Sequence, residues 1–85
     1  MTENAYNLGF VLASKHRKKV MIALQDKPST PSAISEKTKI YPSHISNTLS
    51  ELVEKKLVVC LTPKLKKGRL YKLTDAGKKI LNMIL

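Results

Sequence analysis

Apolar residues recur after Ser14 at the three- and four-residue spacing of an amphipathic helix. Val20, Met21 and Leu24 fall on one face of such a helix, and Ser14 is a suitable N-cap residue. We therefore predict a helix over 15–25.

Two further helices are predicted in quick succession. Thr30 and Pro31 have the form of an N-cap followed by proline at the first helical position, which opens a helix over 31–37. Pro42 opens the next helix, over 42–56, in the same way. Because the connection between these helices is short, they form a helix-turn-helix candidate.

The apolar spacing then changes from helical to that of strands. Residues 57–62 are mostly aliphatic and β-branched, and residues 69–73 form a second apolar run after a basic turn. These two runs predict a β-hairpin with a charged tip. Thr74 is a suitable cap for a last helix over 75–84.

The helical faces define a candidate core. Its members are Val20, Met21, Leu24, Ala33, Ile34, Ile45, Leu49, Leu52, Val53, Ile80, Leu81 and Ile84. In front of it, residues 1–13 have apolar side chains two apart, a spacing that fits an extended segment as well as the start of a helix. We treat 1–13 as an N-terminal arm and 14–85 as the domain.

The composition shows that the chain is strongly basic. The chain has 85 residues, with 16 Lys and Arg against 6 Asp and Glu, and a net charge of +10. A chain of this length forms one small domain, for which a deep catalytic cavity is not expected, so we predict a binding protein and not an enzyme. The charge favours nucleic acid as the partner over a membrane surface.

Cysteine and histidine usage limits other chemistry. Cys60 is the single cysteine, so no intramolecular disulfide can form, and we expect it to pack in a strand, with a redox role as the alternative. His16 and His44 stand with Cys60 on separate predicted elements at no metal-ligand spacing, so no metal or other cofactor is predicted. No apolar run approaches the length of a membrane span, and we expect a soluble protein of the cytoplasm.

The ordered set of motifs resembles the winged helix-turn-helix domains of prokaryotic and archaeal transcription regulators, especially the arsenical-resistance and multiple-antibiotic-resistance repressor types. The matching pieces are Ser14-x-x-Arg17-x-x-Val20-Met21-x-x-Leu24, Ser32-Ala33-Ile34-Ser35, Ser43-His44-Ile45-Ser46-Asn47-Thr48-Leu49-x-x-Leu52, Glu54-Lys55-Lys56-Leu57-Val58 and Tyr71-x-Leu73-Thr74-x-x-Gly77. The resemblance implies an α+β fold, in which a three-helix bundle is followed by a β-hairpin wing and a terminal helix.

Two positions depart from the family pattern. Where these domains usually have glycine, before and after the recognition helix, this chain has Lys39 and Lys56. Holding a residue other than glycine at positive φ destabilises a fold by about 1 kcal/mol. Either the turns of this chain are built differently from those of the family, or the domain tolerates the strain.

The second helix of a helix-turn-helix enters the major groove with its N-terminal part. On the 42–56 helix the candidate DNA contacts are Ser43, His44, Ser46, Asn47 and Thr48. Asn47 is suited to pair with adenine, and His44 to donate to guanine. Glu51 and Glu54 repel phosphates, so contact is expected to fade after Ser50.

The hairpin tip is the candidate wing, over 62–70. Its candidate phosphate contacts are Lys64, Lys66, Lys67 and Arg69, although lysines at a hairpin also protect sheet edges from aggregation. Arg17 shares the apolar face of its helix, which suits either an ion pair with Asp75 or Glu54 or a phosphate contact.

Both ends of the chain are more apolar than a core of this size requires. The residues concerned are Tyr6, Leu8 and Phe10 at one end and Ile80, Leu81, Met83, Ile84 and Leu85 at the other. We predict that the terminal segments pair in a homodimer, the alternative being that they complete the monomer core.

The sequence therefore predicts a sequence-specific, double-stranded DNA-binding transcription regulator. Two alternatives remain open, a winged helix used for protein–protein interaction and one that binds RNA or the ribosome.

Overall fold

The computed structural model describes residues 3–85. Within these residues the chain forms five helices and one short hairpin. In chain order the elements are α1 (Glu3–Leu12), α2 (Lys15–Ala23), α3 (Pro31–Thr38), α4 (Pro42–Glu54), β1 (Val58–Cys60), β2 (Tyr71–Leu73) and α5 (Asp75–Ile84).

Side-chain caps set the start of three helices. The hydroxyl of Ser14 accepts a hydrogen bond from the backbone N–H of Arg17, and that of Thr30 accepts one from Ala33. Thr74 caps α5 in the same way. α4 has no side-chain cap, and proline occupies its first turn. The predicted helix starts are confirmed.

The ends of the elements differ from the predictions by up to a few residues. α4 ends at Glu54 and not at 56, because Lys56 adopts a left-handed conformation with φ of 61°. The strands pair antiparallel over three residues each, with Val59 opposite Lys72, and are shorter than predicted. Past Leu61, whose N–H donates to the Leu70 carbonyl, the chain leaves the ladder to form the wing tip.

Residues 3–12 correct the prediction of an N-terminal arm. They form α1, which packs against α2 and α5, and Val11 is fully buried. Leu8 and Phe10 are half-buried against the same core. Residues two apart are separated by roughly 160° around a helix, so the spacing of two does not mark one face of α1, and Tyr6 and Leu12 are exposed. α1 is therefore part of the domain body.

The core lies between α2, α4, the hairpin base and α5. Its fully buried large side chains include Met21, Ile34, Ile45, Leu49, Leu52, Leu57, Ile80 and Leu81. Two predicted core residues, Ala33 and Val53, are exposed instead, because α3 and α4 each turn a narrower face inward than the apolar pattern indicates. The result is the predicted α+β arrangement of a helical bundle, a hairpin and a terminal helix.

Cys60, the last residue of β1, is half-buried and free. Among residues 3–85, no helix combines the length and the apolar character needed to cross a membrane.

Candidate nucleic-acid interface

The first turns of α4 present a small, polar surface to solvent. Ser43, His44, Ser46 and Asn47 are all exposed. α4 starts at Pro42 with no side-chain cap. The side chains of Ser43, Ser46 and Asn47 are short, so a partner can approach the helix closely there. Four of the five predicted contact residues on α4 are thus accessible.

Thr48 is the exception, and its prediction as a DNA contact is wrong. Its side chain is buried, with 4% of the residue exposed. α2 packs against α4 on this side, so the inward part of α4 extends from its apolar residues to include Thr48. The threonine therefore belongs to the helix packing and not to the accessible face.

The wing meets α4 at a surface cleft. Ser46 and Ser50 of α4 line it on one side, and Lys66, Gly68 and Arg69 line it on the other. Pro31 and Tyr71 complete its wall, and its volume is about 250 Å³. Hydroxyl groups and cationic side chains are therefore brought together at the junction of the two predicted contact elements.

All four predicted wing cations are exposed, but they are not equivalent. The Nε of Arg69 donates to the carbonyl of Leu65, 2.5 Å away, which fixes this side chain across the wing. Lys64 lies on another shallow surface, formed with the apolar residues Leu61 and Leu65. Lys66 and Arg69 are thus the two that adjoin α4, and Lys64 lies further away along the wing.

The turn between α3 and α4 is built without glycine. Lys39 has φ of 63°, in the left-handed region. Side-chain hydrogen bonds hold the chain there: the Ser35 hydroxyl donates to the Ile40 carbonyl at 2.6 Å, and the Thr38 hydroxyl donates to the Ile34 carbonyl at 2.7 Å. The turn therefore keeps the left-handed conformation, and the domain tolerates the strain of a lysine at this position.

Arg17 is structural. One guanidinium nitrogen donates to Oε2 of Glu51 at 2.8 Å, and the other donates to the Phe10 carbonyl at 2.8 Å. The guanidinium also lies over the Phe10 ring, 3.8 Å from its centre. Of the two alternatives given for Arg17, an ion pair and a phosphate contact, the structure shows the ion pair, but its partner is Glu51 and not Asp75 or Glu54. Spacing along α4 could not distinguish Glu51 from Glu54.

Two residues near the interface were missed by the sequence reasoning. Tyr41, which precedes α4, is 77% exposed. The sequence could have indicated it, because a large aromatic residue stands directly before a predicted helix. His16 on α2 lies against His44, with ring centres 5.1 Å apart. Nothing in the sequence indicates that contact, because 28 residues separate the two histidines.

Metal-binding side chains do not gather in the part of the chain that the structure describes. No group of three or more His, Cys, Asp or Glu residues between positions 3 and 85 could hold an ion.

Comparison with known sequence families gives no match, and comparison with curated proteins gives none either. Solved structures do match. TubR from Bacillus thuringiensis serovar israelensis, solved bound to 24 bp of tubC, superposes with a TM-score of 0.83 at 12% identity, over 99% of this chain and 94% of its own.

Two longer regulators are also similar. A variant of ZitR from Lactococcus lactis has a TM-score of 0.73 at 22% identity over 84% of this chain. A MarR family transcription regulator has a TM-score of 0.77 at 20% identity over 95% of this chain. The chain spans 49% of the first and 57% of the second, about half of their length. These similarities show that the chain has the winged-helix fold of such regulators, as its sequence motifs predict.

Proposed function

We propose that this protein is a sequence-specific, double-stranded DNA-binding transcription regulator. The observation that carries the proposal is the cleft in which Ser46 and Ser50 of α4 meet Lys66 and Arg69 of the wing. This arrangement combines a helix face that can approach base edges with cations that neutralise phosphates beside it.

In this function α4 reads the major groove with its exposed first turns. Asn47 pairs with an adenine through both groups of its side-chain amide, and Ser43 and Ser46 donate to base or phosphate oxygens. Thr48 takes no part because it is buried. Glu51 is held by Arg17 and Glu54 is exposed, so negative charge limits the contact zone toward the end of the helix.

The wing contributes affinity without reading sequence. Lys66 and Arg69 bind phosphates next to α4, and Lys64 and Lys67 extend the cationic surface along the DNA backbone. The net charge of +10 strengthens encounter with a polyanion. The structure of TubR with base pairs of tubC supports nucleic acid as a partner for a chain of this shape. We assign the protein no enzymatic activity and place it in the cytoplasm.

We further propose that the protein acts as a homodimer joined through its terminal helices. α1 packs against α5, and exposed apolar residues lie on α1 and at the C-terminal end of α5. On α1, Tyr6 is 66% exposed and Leu12 55%. At the end of the chain, Met83 is 54% exposed and Leu85 62%. Exposed large apolar residues on adjacent helices are typical of an interface between copies.

The proposal is tested by comparing two substitutions, Asn47→Ala and Lys66→Ala, in duplex binding. Asn47→Ala removes a base contact. We expect it to weaken binding by about 1–3 kcal/mol for a duplex that carries the preferred base at the contacted position, and by less for a duplex with another base at that position. Lys66→Ala removes a phosphate contact, so we expect it to weaken binding to all sequences. The plot of log K against log[salt] should become less steep by about 0.9 with this variant, because one phosphate contact is lost.

The controls separate this function from its alternatives. Lys37→Ala removes the same charge from α3, on a different surface formed with α2, and should leave base preference unchanged. Unaltered base preference in Asn47→Ala would show that α4 does not read the groove. Preference for an RNA duplex in competition would favour the RNA-binding alternative, and binding that is insensitive to salt would favour a protein partner.

A further inference from the structure

His16 and His44 form a contact that neither the core nor the proposed base readout explains. Their ring centres are 5.1 Å apart and their planes are inclined by 51°. His44 is exposed and His16 is half-buried, so the pair is open to solvent. The ring of Tyr41 lies 6.4 Å from that of His44 and continues the row. The contact joins the start of α2 to the start of α4.

The pair lies on the side of α4 that faces away from the wing. His44 and Ser46 are two residues apart, which separates them by roughly 160° around a helix of 3.6 residues per turn. Ser46 lines the wing cleft, and His44 contacts α2 on the other flank. The two flanks of α4 therefore differ: lysine and arginine line one, and two imidazoles line the other.

DNA presents phosphates to both flanks of a helix in its major groove. The groove is about 12 Å wide, so the backbones on its two sides both pass close to an inserted helix. The wing serves one backbone. On the other side the structure places the imidazoles of His16 and His44, with the ring of Tyr41 beside them.

The charges around the pair favour an anion over a metal ion. Lys15 precedes His16 on α2, Lys19 follows it by about one turn, and Lys39 stands three residues before the start of α4; all three are exposed. The carboxylate on the same flank of α4 is Glu51, two turns further on, and it is engaged by Arg17 at 2.8 Å. Cationic neighbours repel a metal ion and attract a phosphate.

We propose that His16 and His44 form a phosphate clamp on the flank of α4 opposite the wing, and that DNA binding strengthens as the two imidazoles become protonated. The inference rests on the proposed DNA-binding function and adds to it a contact residue on α2 and a dependence on pH. It also gives His44 a phosphate as its partner in place of a guanine.

The direction of the pH effect follows from linkage. Protonated imidazole is a cation with two N–H donors, and a phosphate stabilises that form over the neutral one. The complex then holds more protons than the free protein, so affinity is highest at low pH and falls as pH rises through the range in which histidine titrates. Uptake of one proton changes affinity by up to about tenfold per pH unit.

The test measures binding of a random-sequence DNA duplex at about pH 6 and about pH 8, the two sides of histidine titration, at one salt concentration and with a chelator present. For the unaltered protein we expect binding to be about 3- to 10-fold tighter at the lower pH. The double variant His16→Gln, His44→Gln should bind as the unaltered protein does at high pH and lose most of the pH dependence. Circular dichroism checks that it folds.

A permanently charged variant keeps the test decisive if the double variant fails to fold. His16→Arg should bind at high pH nearly as tightly as the unaltered protein does at low pH. Lys37→Gln, a charge removal away from this flank, should retain the full pH effect.

Each outcome is distinguishable. An absence of DNA binding at either pH refutes the proposed function and the clamp together. DNA binding whose pH dependence survives in both histidine variants refutes the clamp alone. If the histidine variants differ from the unaltered protein in DNA binding only when Zn²⁺ replaces the chelator, the pair is a metal site and the phosphate assignment is overturned.

Discussion

Lys39 and Lys56 occupy left-handed backbone positions on either side of α4, with φ of 63° and 61°. A side chain in this region costs about 1–2 kcal/mol, because Cβ approaches the following carbonyl oxygen. The domain therefore keeps the turn geometry that glycine usually provides and tolerates the strain. Hydrogen bonds from Ser35 and Thr38 offset part of that cost at Lys39.

Replacing Lys39 with glycine should stabilise the protein. Relief of the left-handed strain exceeds the extra backbone entropy that glycine loses on folding, so we expect a gain of about 0.5–1 kcal/mol in the free energy of unfolding. Lys37→Gly, inside α3, removes the same charge and should instead cost about 1 kcal/mol. Urea denaturation measures both. A Lys39→Gly protein that is as unstable as Lys37→Gly would show that the lysine is not strained.

Sequence reasoning at this scale was limited by what a helical wheel can resolve. Thr48 lies at the edge of the apolar face of α4, and only the position of α2 decides that it is buried. The contact between His16 and His44 depends on the same packing. Asn47 and the wing cations could be predicted to be exposed because they lie far from any apolar face.

Among the elements, helix starts were predictable and strand lengths were not. Ser14, Thr30 and Thr74 cap helices through local hydrogen bonds that the sequence encodes directly. The strands extend only as far as their partners do, and the β1 and β2 ladder stops where the wing diverges. α1 was ambiguous because a short apolar segment acquires its conformation from the surface on which it packs.

Gly77 controls how closely α5 packs on the base of the hairpin. A Cβ at this position would collide with the backbone carbonyl oxygen of Leu57. That oxygen also accepts a hydrogen bond from the N–H of Thr74, so it cannot move away freely. The helix therefore needs glycine here to approach the strand.

Gly77→Ala should destabilise the protein by about 1–3 kcal/mol, since overpacking at a backbone contact outweighs the better helix propensity of alanine. Gly9→Ala is the matched control. Gly9 lies within α1 with no heavy atom near its absent Cβ, so this change should stabilise by about 0.5–1 kcal/mol. Thermal denaturation of both variants makes the comparison. Equal effects would mean that the close approach of α5 is unimportant.

At the scale of the whole molecule, the order of elements from α2 onward and the concentration of charge were predictable, and so was the fold. The reason is that caps, prolines and changes of apolar period agree along nearly the entire chain. How copies associate could not be predicted in the same way. Apolar side chains are exposed on α1 (Tyr6 and Leu12) and at the end of the chain (Met83 and Leu85), and a homodimer formed there remains a proposal.

The dimer proposal fixes the symmetry of the DNA that the protein binds. A two-fold dimer places two copies of α4 about one helical turn of DNA apart, roughly 34–36 Å, so its preferred site should be palindromic. Sedimentation of the free protein gives the oligomeric state independently. A monomer at high concentration would remove the basis for the symmetric site while leaving recognition by a single α4 intact.

The most direct test of DNA recognition by α4 is selection of bound duplexes from a random-sequence pool. The account predicts enrichment of one motif with inverted half-sites about one helical turn apart, and its loss when the selection is repeated with Asn47→Ala. A pool that remains random after repeated rounds, or a motif that Asn47→Ala leaves unchanged, would contradict the account.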